Sequence, residues 1–365
     1  MSRTKRGQYA IETNPNVWLG RIGFFVINLS NSKFLLACLA LLVLRWGLWP
    51  ARWLVNSDMS FEMSPLLNQL IRIDVMNSGN IGGLEQWTLG TVPGLAAFFI
   101  LFLFGWRKLN SDVLASRFFA IALIISPVPA VFFGATRWAP DWIHIFALGM
   151  FVLVTSSIWA WIFALAALLA HPEQSSVALL ILLLVSHVEP KLVPRRRALM
   201  ALSVGLAILL AIRIIDQGPD DSSRVSAFAD LWRSSSSSFY SDSPGSLYAV
   251  LGGGWVIIVA WFWMKRRHRC SYLLPIGLII ALGVTIFTYD GTRVFVGVYV
   301  GAILIGILSL SSWIEGQSRL NESMAHAWFG LFVVVSLFMP PIIWRYSELI
   351  FTGFPYGELI SSIKL

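Results

Sequence analysis

Charge is what this chain has least of. Only 13% of its 365 residues are Asp, Glu, Lys or Arg, about half the roughly 25% that soluble domains carry. With 57% hydrophobic residues, there is too little polar side chain to cover a globule. That excludes an ordinary water-soluble fold and leaves lipid as the solvent. Cysteine is nearly missing too. Cys38 and Cys270 are the only two, both in or beside apolar segments, which argues against a disulfide framework and leaves the redox compartment unread. The chain has no Walker loop, no Rossmann glycine fingerprint, no HExxH zinc motif and no GxSxG nucleophile elbow. No row of carboxylates or histidines runs through several apolar segments as in an ion-driven pump, and nothing points to a channel filter. No internal repeat suggests an inverted-repeat transporter.

What the chain does have is long apolar runs, and its mean hydropathy is +0.72. Backbone amides find no water partners in hydrocarbon, so the spans must be helices or a closed barrel. Unbroken runs, rather than alternating stretches of about ten residues, decide for helices. The expected fold is all-α: a polytopic transmembrane helical bundle of about nine spans, at roughly 20 residues per crossing. The spans fall near 34–55, 91–106, 118–136, 142–170, 198–215, 247–264, 272–289, 294–313 and 326–344. A shorter run, 177–188, is expected as a re-entrant or interfacial half-helix. Residues 1–33 form a cytoplasmic N-terminal segment with an interfacial helix over 17–29, and the first span serves as its own uncleaved signal. Residues 34–346 make the bundle, with outer loops 56–90 and 216–246, and 347–365 is a C-terminal tail. Many of the 17 Trp lie near span ends, where indole favours the interface.

The net charge of +8 does not call for nucleic acid, because the basic residues sit in short runs beside apolar segments. Such runs belong in the cytoplasm. With the N-terminus inside, Arg107, Lys108 and Arg117 fall inside, and the acidic loop 56–90 falls outside. Arg195, Arg196 and Arg197 must again be inside, so 142–188 makes an odd number of crossings. Three crossings need roughly 60 residues, more than this stretch holds, so one is expected. Lys265 to Arg269 then also fall inside, while the loop 216–246 and the Asp290–Arg293 turn fall outside.

Four polar features carry candidate chemistry, and each has a plainer reading. In Asn56–Glu62, Asp58 and Glu62 lie four residues apart and would share one face of a helical turn. Such a pair can hold a divalent metal or act as a general base; alternatively it is a solvated loop. The amphipathic surface helix expected at 65–75 adds Arg72 and Asp74. In the Asp290–Gly291–Thr292–Arg293 turn, Asp290 can cap the next helix and Gly291 permits a tight bend. Arg293 stands in the first turn of a span, against the helix dipole, which makes sense if it meets a phosphate or carboxylate, or else pairs with Asp290. The segment Arg137–His144 gathers Arg137, Asp141 and His144 near the outer surface; His144 is either functional or a hydrogen-bonded packing residue. His187, ending the half-helix, faces a cavity or sits at the inner interface, where Lys191 and Arg195–Arg197 meet anionic headgroups. Arg45 in the first span is a further candidate, or simply snorkels.

The acidic stretch 58–74 after the first span, the Asp290–Gly291–Thr292–Arg293 turn and the large outer loop between middle spans resemble polysaccharide polymerases of the Wzy and EpsG type, and more loosely the GT-C membrane glycosyltransferases. The resemblance covers the plan of spans and loops. It implies a membrane polysaccharide polymerase or glycosyltransferase acting on polyprenyl-diphosphate-linked glycans at the outer face of a bacterial plasma membrane. Partners would be the lipid-linked glycan, membrane lipids and polysaccharide-assembly proteins, with no nucleic acid. In those families an acid of the first outer loop is base or metal ligand, matched here by Asp58, with Glu62 or Asp74 as substitutes. Outer arginines hold the diphosphate, matched by Arg293 and Arg137. Fixed guanidinium groups in a low-dielectric site stabilise the leaving group as it gains charge, and the acceptor hydroxyl needs a base, which Asp58 or His144 could supply. A divalent metal cofactor is compatible with this. The other class of reading is a transporter or flippase for an amphipathic solute, with Arg45, His144 and His187 along a central path.

Overall fold

The computed structural model describes residues 15–46, 83–109, 112–133, 139–215, 243–286, 291–345 and 348–352. Within them the chain is helical apart from one small hairpin. α1 (Pro15–Asn28) and α2 (Asn31–Trp46) are followed by α3 (Gly83–Lys108), α4 (Val113–Ile125) and α5 (Val128–Phe133). Then come α6 (Ala139–Leu153), α7 (Ser157–Ala170), α8 (Pro172–Ser186) and α9 (Arg195–Ile215). The last group is α10 (Ser243–Leu251), α11 (Gly254–Lys265), α12 (Leu273–Ile286), α13 (Gly291–Leu320) and α14 (Glu322–Phe338). Strands β1 (Ile342–Arg345) and β2 (Glu348–Phe351) pair antiparallel, Ile342 opposite Phe351 and Arg345 opposite Glu348.

α13 is the axis. It is apolar on every side, and every residue from Val294 to Ser311 is buried, as a helix surrounded by other helices must be. Among the described residues it is the one helix long and apolar enough by itself to cross a membrane. Two bent pairs pass the same test if each is one span: α1 with α2, bent by 111°, and α10 with α11, bent by 81°. Gly252, at φ 49°, makes the second bend, a conformation that costs glycine nothing. The nine expected spans therefore reduce, on length and composition, to one clear span and several shorter apolar helices.

Charged and hydroxylic side chains mark two levels on α13. Arg293 lies at one end and Ser309, which meets Glu189, at the other. At 1.5 Å per residue these levels are about 24 Å apart. Between them α13 carries only apolar residues, glycines and Tyr299. The outward faces of the surrounding helices are apolar as well: Leu35, Leu36 and Leu39 on α2, Ile158, Ile162 and Leu165 on α7, Leu199, Leu206 and Leu210 on α9 are all exposed. Buried polar groups at two levels, with apolar residues between them and an apolar exterior around them, are compatible with a membrane protein.

Several expected boundaries are corrected. The run 142–170 is not one crossing but a hairpin of α6 and α7, since His171 after α7 returns to Asp141 at the start of α6. The break falls at Val154–Ser156, where hydroxyl residues compete for the backbone and two cations take the released carbonyls. Lys108 Nζ bonds Leu153 O at 3.1 Å, and Arg197 bonds Val154 O at 3.0 Å and Thr155 O at 2.9 Å. The half-helix expected at 177–188 is α8, which starts at Pro172 and runs from the Asp141 level to the Glu189 level. Proline at its first position needs no amide partner there. The last span stops at Phe338, because Pro340–Pro341 cannot continue a helix, and the chain turns into the short β-hairpin, which leaves the class all-α. The expected third span is split at Ser126–Pro127 into α4 and α5. α3 begins at Gly83, inside the expected loop 56–90. α1 leans antiparallel along α14: Gly23 lies against His326, and Gly330 against Leu19.

Candidate polar site at the Asp141 end

Four helices deliver the site. Asp141 sits in the first turn of α6, where a carboxylate is favoured by the helix dipole. His171 is the single residue joining α7 to α8. Its amide closes α7 on Ala167 O at 2.9 Å, and its carbonyl accepts from Ser175 N at 2.9 Å. Arg293 is in the first turn of α13. One Asp141 oxygen meets Arg293 Nη1 at 3.0 Å, and the other meets His171 Nε2 at 3.1 Å. The Asp141 side chain is 2% exposed, while His171 and Arg293 reach the surface at 15% and 16%. The carboxylate is thus the buried hub, and the two basic groups form its rim.

This geometry fixes the His171 ring. Nε2 donates to the carboxylate, so the neutral ring keeps its lone pair on Nδ1. Among the described residues Nδ1 has no hydrogen-bond partner. A carboxylate that orients an imidazole and leaves the far nitrogen basic is the usual arrangement of a general base.

His144, one turn along α6, has the opposite character. It is fully buried. Nε2 lies 2.9 Å from Gly297 O, and Nδ1 lies 2.8 Å from Ser175 Oγ. A carbonyl only accepts, so the proton is on Nε2. Ser175 Oγ, which is 2.7 Å from Ala167 O, can turn its hydrogen to Nδ1, because Ala167 O keeps the His171 amide. A neutral ring is then satisfied at both nitrogens, and His144 pins α6, α8 and α13 together. The expectation that His144 is a base for a substrate hydroxyl is corrected on this ground: neither nitrogen is available.

Of the other candidates, His187 turns back on its own helix, Nδ1 lying 2.9 Å from Leu183 O. It lies beside the Glu189 level, not in the Asp141 site. Arg45 is 5% exposed; its Nη1 donates to Ser336 O at 3.2 Å and Met339 O at 2.8 Å, capping the C-terminus of α14. Asp58, Glu62, Arg72, Asp74, Arg137 and Asp290 lie outside the described residues. Among the described residues no three His, Cys, Asp or Glu side chains are grouped so as to hold a metal ion.

Sequence reasoning brought Asp141 and Arg293 to one end of the bundle, and the structure joins them directly. It missed His171 and Ser175, because the hairpin was read as one helix. His171–Pro172 carried the signal, since proline marks a first helical position. It also missed the second buried cluster at the far end of α13. There Glu189 Oε1 accepts from Lys265 Nζ at 2.7 Å, Ser309 Oγ at 2.5 Å and Trp261 Nε1 at 3.2 Å.

Comparison with protein-family models, with curated proteins and with solved structures finds no match to this chain.

Proposed function

We propose that this chain is a multi-pass integral membrane protein that transfers glycosyl groups from polyprenyl-diphosphate-linked glycans, as a polysaccharide polymerase or glycosyltransferase, at the end of the bundle where Asp141, His171 and Arg293 meet. Replacing one expected pass over 142–188 by three short ones raises the count from about nine to about eleven and leaves the parity unchanged. The basic runs stay on the cytoplasmic side, and the Asp141 site stays on the outer side.

The observation that carries the reading is the shared carboxylate: Asp141 holds a partly exposed imidazole on one oxygen and a partly exposed guanidinium on the other. The roles follow from their chemistry. His171 Nδ1 takes the proton of the acceptor hydroxyl as its oxygen bonds to the sugar carbon. The bond from that carbon to the phosphate oxygen breaks, and the charge collects on the diphosphate beside Arg293. Asp58, Glu62 and Asp74 remain candidates for the acceptor side or for a divalent metal.

The test is the chain-length ladder of surface polysaccharide in a deletion strain carrying H171A or D141N, with H187A as the control that touches neither group. H171A and D141N should abolish the ladder while the protein accumulates in the membrane at wild-type level, and H187A should leave the ladder intact. A normal ladder from H171A, or no change in surface glycan on deletion, would overturn the reading.

A transporter or flippase is the second reading, and the Glu189–Lys265 cluster favours it: an ion pair then lies at each end of the central helix. Single cysteines beside His171 that label from the outside alone support the enzyme. Labelling that alternates between sides supports transport.

A further inference from the structure

The bundle's Glu189 end carries a concentration of cations that the site above does not use. Lys191, Arg195, Arg196, Arg266, Arg267 and Arg269 are all exposed there. They come from the turn after α8 with the first turn of α9, and from the turn after α11, which the Glu189–Lys265 pair fastens side by side. Acids at this end are already engaged, Glu189 with Lys265, Glu315 with Arg319 and Asp112 with the Ala115 amide. Two further cations, Lys108 and Arg197, are turned inward onto the carbonyls of the α6–α7 tip. The arc is therefore positive and uncompensated among the described residues. Directly below it the surface is apolar and aromatic: Trp159, Trp263 and Tyr272 are each more than half exposed, and Arg266 lies over the Trp263 ring at 4.0 Å.

We propose that this arc binds the phosphate groups of anionic lipid headgroups, with the acyl chains running down the exposed face between the α6–α7 tip and α11. This rests on the membrane reading above and not on the glycosyl-transfer chemistry. An acidic protein would match the charge but not the belt of exposed indole and phenol rings beneath it. Cations over interfacial aromatics over aliphatic side chains match a lipid along its whole length. Each cation near an anionic surface contributes about 1 kcal/mol, roughly fivefold in partition.

The test uses the purified full-length protein reconstituted in phosphatidylcholine vesicles with a trace of spin-labelled phosphatidylglycerol or spin-labelled phosphatidylcholine. The relative association constant at the protein surface is read by electron paramagnetic resonance. Phosphatidylglycerol should be preferred at least about fivefold, and the preference should vanish in about 1 M salt, where screening acts within about 3 Å. The R266Q/R267Q/R269Q variant should lose most of the preference, and R195Q/R196Q should lose part of it. Two separate variants guard against one of them misfolding. Equal association of the two lipids with the wild type overturns the proposal. So does a preference unchanged in both variants, or displacement of the labelled lipid by millimolar inorganic phosphate, which would make free phosphate the ligand. Failure of the membrane reading shows separately, as release of the protein from native membranes by alkaline carbonate without detergent.

Discussion

The Glu189–Lys265 pair offers the sharpest test of how the helices are held. A single carboxylate oxygen there accepts from Lys265 at 2.7 Å, from Ser309 at 2.5 Å and from Trp261 at 3.2 Å. It ties the end of α8 to α11 and α13. Glu189→Gln keeps the shape and an acceptor for Ser309 and Trp261 but removes the counter-charge of Lys265. Lys265→Met removes the cation and leaves a buried carboxylate with neutral donors. Breaking a fully buried pair from one side costs about 3–5 kcal/mol. The Lys265 side chain is 24% exposed and ends a helix, so the ammonium can swing toward water. About 2 kcal/mol for each single variant is the expected loss. The double variant leaves a neutral amide hydrogen-bonded to Ser309 and Trp261 and no unpaired charge, so it should lose only about 1–2 kcal/mol. The coupling is then about 2–3 kcal/mol, inside the range measured for contacting residues. The assay is the denaturant midpoint of the four proteins in one detergent, followed by near-ultraviolet circular dichroism. A double variant that loses the sum of the two singles would refute the reasoning, because the two groups would then not be compensating each other.

Other perturbations read other joints of the bundle. A Cβ on Gly330 would stand 3.0 Å from Gly23 N and closer still to Leu19 O; since backbone cannot yield, Gly330→Leu should cost about 1–3 kcal/mol and expose α1 to limited proteolysis. Arg117 caps the end of α1 through Val26 O and Leu29 O, so Arg117→Met should lower the thermal midpoint and speed cleavage near Asn28, whereas Arg195→Met on the surface should do neither. His144→Ala deprives Ser175 and Gly297 of their shared partner; it should destabilise by about 2–4 kcal/mol through the cavity and the lost bonds, while His144→Gln, which can still donate to Gly297 O, loses less. Cysteines at Arg267 and at Glu173, on the two polar levels, should label with a membrane-impermeant maleimide from opposite sides of sealed vesicles.

The helical class, the central apolar run of α13 and the placement of Arg293 in its first turn were legible because composition and run length report solvent directly. Breaks inside apolar runs were not. Thr155–Ser156–Ser157 interrupts the pattern for only three residues, too briefly to depress an average over a span. The chain nonetheless reverses there, because Lys108 and Arg197 arrive from α3 and α9 to bond the tip carbonyls. That information lies some 40 residues away in sequence. The end of α14 was misplaced for a related reason: Trp344 and Ile343 are as apolar as a span, but they are buried against α13 as strand residues, with Trp344 N bonded to Thr292 Oγ1 at 2.8 Å. The site was half legible. Asp141 and Arg293 could be assigned to one end by counting crossings, and only the hairpin brings His171 to them.

What separates the Asp141 cluster from the rest is where the cations bonded within the bundle direct their bonds. An ionisable group within apolar surroundings is costly and must be satisfied. Arg45, Lys108, Arg117 and Arg197 meet that demand with backbone carbonyls at helix ends, where the last turn leaves acceptors unpaired and the dipole is negative. Each of these cations completes a helix terminus and has a sufficient structural reason to exist. Glu189 and Lys265 neutralise each other across the opposite end. At Asp141 the balance is different. Two basic side chains there meet a side-chain carboxylate instead of backbone carbonyls, and both reach the surface. In the proposed glycosyl transfer His171 Nδ1 would accept the hydroxyl proton while phosphate charge develops beside Arg293, two events joined through one carboxylate. A helix cap has no such coupling, which is why substitution at His171 tests function where substitution at Arg117 tests only stability.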